Sequence, residues 1–435
     1  MTLQNKNRIK LNINSYQFAG ISNCIWGFLM MNPFLLWFPL ATFLYILPFV
    51  LVAISTILLM KSNSLVYSKE RLIFAITVLF YILILIMHVG IIKMGVMLLK
   101  HSPLLLIAFH PNNILYKTFR YFRAIILFFA FFSIIMFVLF LFKLNDYIPY
   151  IEIEGMSNVH RISGVSLHIH GFIVTIFNNS TGEYLLRACG PLQEPGHFAI
   201  IIGIVMFIDR MLAKKMNLIL LICGFLTFSP AFVIILIISE VYHFVINRKT
   251  KKIKINKATG KKRIIIASIF VVLAAVIIIS NQTIRAKVWY MLYERNFQQT
   301  TTTLFAEKSI REGLNERINS SGMAYFEQFK TSSKIWFGDK NWENGGVVLS
   351  DYRGLVATIG IIGVLLSLIV SLSALLRATT KQFIFIFCII ALIYLHRAWM
   401  FLSPYIVFLF FIGISASIYK FEEKGRKDLL INENS

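Results

Sequence analysis

A group of side chains that can bind an anion and move a proton lies between Arg187 and His197. Pro195 fits the first turn of a helix, where its missing N–H costs no hydrogen bond, so we expect Glu194 at or near the N-cap of that helix. His197 follows three residues later, on roughly the same face. A helix N-terminus attracts anions, and an arginine can hold a phosphate through two hydrogen bonds. The spacing predicts an anion site with Glu194 and His197 as candidate acid–base groups.

Each of these residues also has a purely structural interpretation. Glu194 can cap the helix, Arg187 can reach the membrane interface, and His197 can pack inside. The functional interpretation is favoured for the three together, because chemically complementary groups meet at one helix end.

A second set of candidate anion ligands lies further along the chain. Arg311 and Arg317 occur in a polar stretch, and an ordinary surface salt bridge is the alternative for each. Ionisable groups at the mouths of apolar segments are as often membrane anchors as substrate contacts. Those groups are Asp351, Tyr352, Arg353, His396 and Arg397.

Two further residues raise the question of a metal. On a strand, His168 and His170 would share a face, but no third ligand is evident nearby. An Asp-x-Asp pair, which would hold a divalent ion against a sugar diphosphate, does not occur in the sequence. We therefore predict no metal and no cofactor.

Composition decides which elements must position these residues. The chain has 435 residues, of which 57% are hydrophobic and 14% are charged, with a net charge of +23. A soluble domain has about 25% charged residues. Apolar runs of about 20 residues recur along the whole length, which indicates a polytopic membrane protein and excludes soluble enzymes and disulfide-based scaffolds.

The distribution of basic residues gives a topology. They cluster between the apolar runs, and if the clusters are all cytoplasmic, both termini and the basic loop 248–263 lie inside. That loop is expected to lie against anionic lipid headgroups rather than to bind nucleic acid. The predicted spans are 18–38, 40–60, 72–92, 94–115, 124–142, 191–209, 216–228, 230–247, 264–281, 353–375, 382–396 and 401–419.

These spans predict an all-α polytopic membrane protein with about 12 transmembrane helices. The whole chain, 1–435, would form a single transmembrane domain with two enlarged periplasmic loops, 143–190 and 282–352. The pair 216–228 and 230–247 is short, and 94–115 carries Lys100 and His101, so these segments are the weakest spans.

The chain resembles the Wzy-type O-antigen polymerases, within the O-antigen ligase/polymerase superfamily of the bacterial inner membrane. The resemblance rests on the span count, on the two enlarged loops and on motifs between about 160 and 375. The motifs are Arg187-x-x-Gly190 before Glu194-Pro195-Gly196, Leu226-Thr227-Phe228-Ser229, and the stretch from Arg317 through Trp336-Phe337-Gly338 to Asp351-Tyr352-Arg353-Gly354.

The resemblance implies that the protein joins undecaprenyl-diphosphate-linked oligosaccharide units at the periplasmic face. It implies that Arg187 and Arg317, and less surely Arg161 and Arg311, bind the diphosphates, and that a chain-length regulator is a partner. Preplaced arginines would stabilise the leaving diphosphate without a metal. Glu194 or His197 would act as the base.

Two other functions stay open. Ligases of the superfamily are expected to carry an essential histidine in the second loop, and 282–352 contains none, which favours the polymerase. A flippase for lipid-linked oligosaccharide should carry basic residues within its spans, whereas few charges fall there. A non-catalytic scaffold is the remaining alternative.

Overall fold

The computed structural model of the protein describes residues 13–37, 41–87, 91–142, 144, 147–154, 165–179, 182–250, 320–339, 341–342, 347, 349 and 352–433. It divides into two compact units, one of Met1–Ser239 with Glu316–Ser435, and one of Glu240–Asn315. The described residues belong to the first unit, except 240–250. The predicted span 264–281, residues 251–263 of the basic loop 248–263, residues 282–319 of the second large loop and the candidates Arg161, Arg311, Arg317 and Asp351 lie outside the described residues.

The described chain is mostly helical. Its α-helices are α1 Ile13–Leu29, α2 Ala41–Lys61, α3 Lys69–Met87, α4 Ile91–Ile107, α5 Asn112–Leu141, α6 Pro195–Met211, α7 Leu218–Leu226, α8 Pro230–Thr250, α9 Ser320–Phe329, α10 Tyr352–Ser373, α11 Thr380–Arg397 and α12 Tyr405–Glu433. Short 3-10 turns occur at Phe34–Leu36, Ser333–Ile335 and Ala398–Leu402.

Among the described residues, six helices are long and apolar enough to cross a membrane: α2, α3, α5, α10, α11 with the turn after it, and α12. Large apolar side chains stay exposed on their outer faces, for example Leu47 on α2, Phe80 on α3 and Leu365 on α10. Such surfaces are stable only against lipid, so the protein is embedded in a membrane. The count of about 12 spans stays a prediction.

Three predicted boundaries are wrong. The predicted span 18–38 continues past the end of α1 at Leu29. The predicted spans 94–115 and 124–142 place a loop around Lys117 to Arg123, but α4 ends at Ile107 and α5 already begins at Asn112. Pro111, in extended conformation, starts α5. The short segment 216–228 is short in the structure too: α7 has 9 residues, about 14 Å, which is half of a bilayer core.

The prediction of an all-α chain is incomplete, because the loop 143–190 contains a sheet. Its antiparallel strands are β1 Ile151–Glu154, β2 Val165–His170, β3 Ile173–Asn178 and β4 Glu183–Leu185, in the order β1-β2-β3-β4. In β2, Val165, Leu167 and Ile169 alternate with Ser166, His168 and His170, which is the period of two that a strand requires. Gly171, with φ +61°, makes the two-residue turn into β3.

Helix α12 fills the centre of the bundle. About 67% of its apolar window is buried inside the protein, and it packs against α5, α6 and α1. The ring of Phe408 meets Trp26 edge-on at 5.1 Å between centroids, and Phe411 stacks on Phe74 at 4.6 Å. These aromatic contacts hold α12 against α1 and α3.

The start of α6 and the start of α12 lie at the same end of the bundle as the sheet. The Phe34 N–H donates to the Pro191 carbonyl (2.9 Å), and the Ser403 hydroxyl donates to the Met30 carbonyl (2.6 Å). The Val174 N–H of β3 donates to the Gly190 carbonyl (2.8 Å), which attaches the sheet there. We call this the sheet end. The opposite end, where α2 ends and α3, α5 and α11 begin, is the basic end; it carries Lys61, Lys69, Arg71, Lys117, Arg377, Lys381 and Lys420.

Candidate functional site

Glu194 is the N-cap residue of α6, as the sequence predicts, but its side chain does not cap the helix. Pro195 occupies the first helical turn, and Glu194 is extended, with φ −131° and ψ 131°. The carboxylate instead forms an ion pair with Arg397, at the end of α11. The simplest structural interpretation of Glu194, helix capping by its carboxylate, therefore does not apply.

Arg397 is almost enclosed. Its side chain is 14% exposed, and among the described residues its Nε atom has no hydrogen-bond partner. The guanidinium lies directly against Gly196, where a Cβ atom would sit 2.6 Å from Nη2 and 2.9 Å from Nε. Any other residue at 196 would force the guanidinium to move. The structure thus brings together Glu194 and Arg397, which are 203 positions apart in the sequence.

His197 is buried one turn into α6 and contacts a different partner. Its Nε2 atom shares a hydrogen bond of 2.6 Å with the Tyr405 hydroxyl, and its ring meets Trp399 edge-on at 5.1 Å between centroids. The side chain is 4% exposed. Sequence reasoning missed Tyr405 and Trp399, because an aromatic residue at a span end usually serves as an interfacial anchor and nothing local marks these two as different.

Arg187 is engaged elsewhere at the sheet end. Its Nε donates to the Thr227 carbonyl (2.8 Å) and its Nη2 to the Phe228 carbonyl (3.1 Å), at the C-terminal end of α7. The adjacent Ala188 N–H donates to the Leu226 carbonyl (3.0 Å). These bonds neutralise the negative end of a helix dipole and satisfy carbonyl groups that the helix leaves unpaired. The diphosphate role of Arg187 stays a prediction, with two backbone carbonyls already on its guanidinium.

Tyr352 and Arg353 begin α10 and contact α9 rather than the Glu194 pair. The Arg353 guanidinium lies 5.9 Å from the Phe326 ring centroid and 5.5 Å from that of Tyr352. Its Nη1 is 3.0 Å from the Met323 sulfur. Cation–π contacts of this kind fit an anchoring role. His396 stands beside Arg397 in the last turn of α11.

The end of the second large loop is clamped onto a break in α10. Gly360, with φ 68° and ψ 176°, interrupts the helix, and Gly338, with φ +89°, lies against it. The Asp339 N–H donates to the Ala357 carbonyl (2.7 Å), and the Ile362 N–H donates to the Trp336 carbonyl (3.2 Å). The loop thus supplies hydrogen bonds that the broken helix has lost, as a break at membrane depth requires.

The two histidines of β2 form part of an aromatic cluster on one face of the sheet. His168 Nδ1 shares a 2.7 Å hydrogen bond with the Tyr184 hydroxyl, and the His168 ring stacks on Tyr150 at 4.1 Å. Burial lowers the pKa of His168, and burial followed by the neighbouring His168 lowers the pKa of His170 to about 4. Burial therefore favours the neutral form of both rings.

Within the part of the chain that the structure describes, no three His, Cys, Asp or Glu side chains are placed to hold a metal ion. His168 and His170 use the same face of β2 for aromatic contacts instead. The prediction that the protein needs no metal stays a prediction.

What remains chemically distinctive is the group at the start of α6. It contains an accessible carboxylate, an almost enclosed guanidinium, a glycine that permits their close approach, and a histidine bonded to a tyrosine. Such a group can bind an anion and accept a proton. Comparison of the chain with protein-family models, with curated proteins and with solved structures finds no match in any of the three.

Proposed function

We propose that the protein is a glycosyltransferase that polymerises lipid-linked oligosaccharides, as the resemblance to the Wzy-type polymerases implies. The observation that supports it best is the ion pair of Glu194 and Arg397. Ionisable groups within a membrane bundle are costly and mark substrate or ion pathways by default. A carboxylate can accept the proton of an acceptor hydroxyl, and a guanidinium can stabilise the charge of a leaving diphosphate.

The proposed reaction uses these groups in fixed roles. A hydroxyl of the acceptor sugar attacks the anomeric carbon of the donor, and its proton passes to the Glu194 carboxylate. The new carbon–oxygen bond forms as the bond to the diphosphate oxygen breaks, and the electron pair leaves with the lipid diphosphate. Arg397 stabilises the negative charge that grows on this leaving group.

His197 is less suited to the role of base than Glu194. It is buried, and its Nε2 already bonds Tyr405, whereas the Glu194 side chain is 27% exposed. Glu194 is therefore the proposed base, and His197 is proposed to hold the start of α6 against α12.

The distribution of charge supports an orientation for this site. The basic end carries clustered lysines and arginines, which by the positive-inside rule favours a cytoplasmic location for this end and for both termini. The sheet end, with Glu194 and Arg397, would then face the periplasm of a bacterial inner membrane. Undecaprenyl-diphosphate-linked oligosaccharide, membrane lipid and a chain-length regulator are the proposed partners, and nucleic acid is not.

A surface-glycan gel tests the proposal. A strain that lacks this chain should show core with a single repeat unit and no ladder, and the wild-type chain should restore the ladder. Bare core with long polymer left on the lipid carrier would indicate a ligase. Bare core with single units trapped in the cytoplasm would indicate a flippase, and either result would replace the polymerase.

The same strain tests the residues. Arg397→Ala, Arg397→Lys and Glu194→Gln should each fail to restore the ladder while the protein is present in the membrane at normal level. Glu423→Gln, which changes a half-buried carboxylate paired with Lys420 near the end of α12, is the matched control and should restore it. A normal ladder from both Arg397 variants would remove Arg397 from the site.

A further inference from the structure

The position of Arg397 creates an electrostatic conflict. The N-terminus of α6 carries a partial positive charge, and the guanidinium of Arg397 lies directly against its first turn, at Gly196. Two positive groups in an almost enclosed place repel each other more strongly than they would in water. The Glu194 carboxylate is the anion that offsets this repulsion in the structure.

The same arrangement forms an anion-binding site that the Glu194 carboxylate already occupies. The Nε atom of Arg397 is buried and lacks a hydrogen-bond partner among the described residues. The carboxylate that occupies the site belongs to a residue outside the helix, in extended conformation, with no bond from its side chain to the helix N–H groups. It can leave by rotation of its side chain, without unfolding any turn of α6.

We propose that Arg397 and the first turn of α6 bind the diphosphate of the lipid-linked substrate, and that the diphosphate displaces the Glu194 carboxylate from Arg397. This inference rests on the proposed function and adds a sequence of events to it. In the empty site, Glu194 is held by its ion pair and is a weak base. Once the diphosphate has replaced it, the carboxylate is released and can accept the proton of the acceptor hydroxyl.

The displacement of Glu194 by the diphosphate couples binding of the donor to activation of the base. A carboxylate paired with a guanidinium has less tendency to take up a proton than a free one. The base is therefore strengthened only when a donor diphosphate is in place, which suppresses reaction in its absence. Gly196 allows this, because a side chain there would separate the guanidinium from the helix N-terminus and enlarge the site.

The exchange predicts an unusual result for anion binding. If Glu194 competes with the ligand, removing its charge should tighten binding, whereas removing an ordinary ligand-binding residue weakens it. The purified full-length protein in nanodiscs would be titrated with inorganic pyrophosphate and with farnesyl diphosphate at fixed ionic strength. Glu194→Gln should lower the Kd for both anions at least about tenfold. Arg397→Lys should raise the Kd, because a lysine cannot make the bidentate contact of a guanidinium.

Two further variants keep the test decisive. Glu423→Gln should leave the Kd unchanged, which controls for a general loss of negative charge. Should Glu194→Gln fail to fold, Glu194→Asp retains the charge on a shorter side chain, weakens the ion pair, and should tighten binding by a smaller factor. Weaker or unchanged binding in the folded Glu194 variant would overturn the proposed exchange.

The outcomes separate this inference from the proposed function. Tighter anion binding by Glu194→Gln, in a protein whose deletion leaves the glycan ladder intact, would support the exchange and overturn the polymerase. A lost ladder, with binding unchanged by Glu194→Gln, would support the polymerase and overturn the exchange.

Discussion

At the scale of single residues, two side chains that are predicted to form one group have different partners in the structure. The sequence predicts that Glu194 and His197 share a helix face and act together. In the structure, Glu194 contacts Arg397, and His197 contacts Tyr405. The cause is that α11 and α12 meet at the sheet end on either side of the short turn Ala398–Leu402, so each presents its own partner to α6.

The contact of His197 with Tyr405 predicts a change in stability. Tyr405→Phe removes the hydroxyl and leaves a buried imidazole nitrogen without its partner. We expect a loss of about 1–3 kcal/mol in the free energy of unfolding, measured by thermal denaturation in detergent. Tyr67→Phe, at a tyrosine that is 71% exposed, should have no effect. Equal stability of the two variants would show that the hydrogen bond contributes nothing.

Asp339 should make the stability of the contact between the second large loop and α10 depend on pH. Burial alone would raise its pKa, but hydrogen bonds from Lys334, from the Asn341 N–H and from Tyr325 outweigh burial and lower it. An aspartate whose pKa is lower in the folded state stabilises the fold above its ordinary pKa of about 3.9, and this contribution is lost as the pH falls below that value.

We therefore expect hydrogen exchange across 325–342 to accelerate as the pH falls from about 5 to about 3, after correction for the intrinsic rate. Asp339→Asn should exchange faster at pH 5 and lose this dependence, because it has no charge to titrate. If Asp339→Asn kept the wild-type pH dependence of hydrogen exchange, Asp339 would not be the group that causes it.

At the scale of elements, Arg187 is the clearest case in which structure adds to sequence. Its type and position predict anion binding, and the resemblance implies a diphosphate, but its guanidinium donates to the Thr227 and Phe228 carbonyls just after α7. Arg187→Ala should lower the free energy of unfolding by about 1.5–3 kcal/mol for each of these charge-assisted hydrogen bonds. Full thermal stability together with a lost glycan ladder would instead restore Arg187 as a substrate ligand.

The break in α10 depends on a conformation that only glycine adopts. Gly360 combines φ 68° with ψ 176°, and a Cβ there would lie 2.3 Å from the Trp336 carbonyl oxygen. Gly360→Ala should cost at least about 1–3 kcal/mol from backbone strain alone. Gly95→Ala in α4 is the control: its Cβ meets nothing within 4 Å, so helix propensity should stabilise it by up to about 1 kcal/mol. Both are read from thermal denaturation, and equal shifts would contradict the strain.

At the scale of the whole molecule, the sequence predicts most of the helices and little of the site. Long apolar runs identify α2, α3, α5, α10, α11 and α12, because a bilayer requires them. The sheet escapes prediction because its strands are only three to six residues long, and so short an alternation within a predicted loop is a weak signal. The pair of Glu194 and Arg397 could not be predicted, because it joins α6 and α11. Hydropathy identifies helices but does not show which of them are neighbours.

The proposed topology predicts which face of the membrane each end meets. In a variant with Cys388 replaced by serine, Tyr147→Cys, just beyond the end of α5 at the sheet end, should react with a membrane-impermeant maleimide on spheroplasts. Lys424→Cys should react only after the membrane is opened. Both wild-type side chains are exposed. The reverse pattern would place Glu194 and Arg397 on the cytoplasmic face and exclude a periplasmic reaction.

The central place of α12 has a consequence for how the protein is made. Its neighbours α1, α5 and α6 all precede it in the chain, so the ribosome delivers them to the bilayer before the helix that fills the space between them exists. Until α12 arrives, their inward faces must be covered by lipid or by the insertion machinery. Tyr405, which α12 brings to His197, completes the start of α6 only at that moment. The site is therefore complete only after α12 is inserted. A nascent chain that ends before α12 contains Glu194 but lacks the α12 residues that pack against the start of α6.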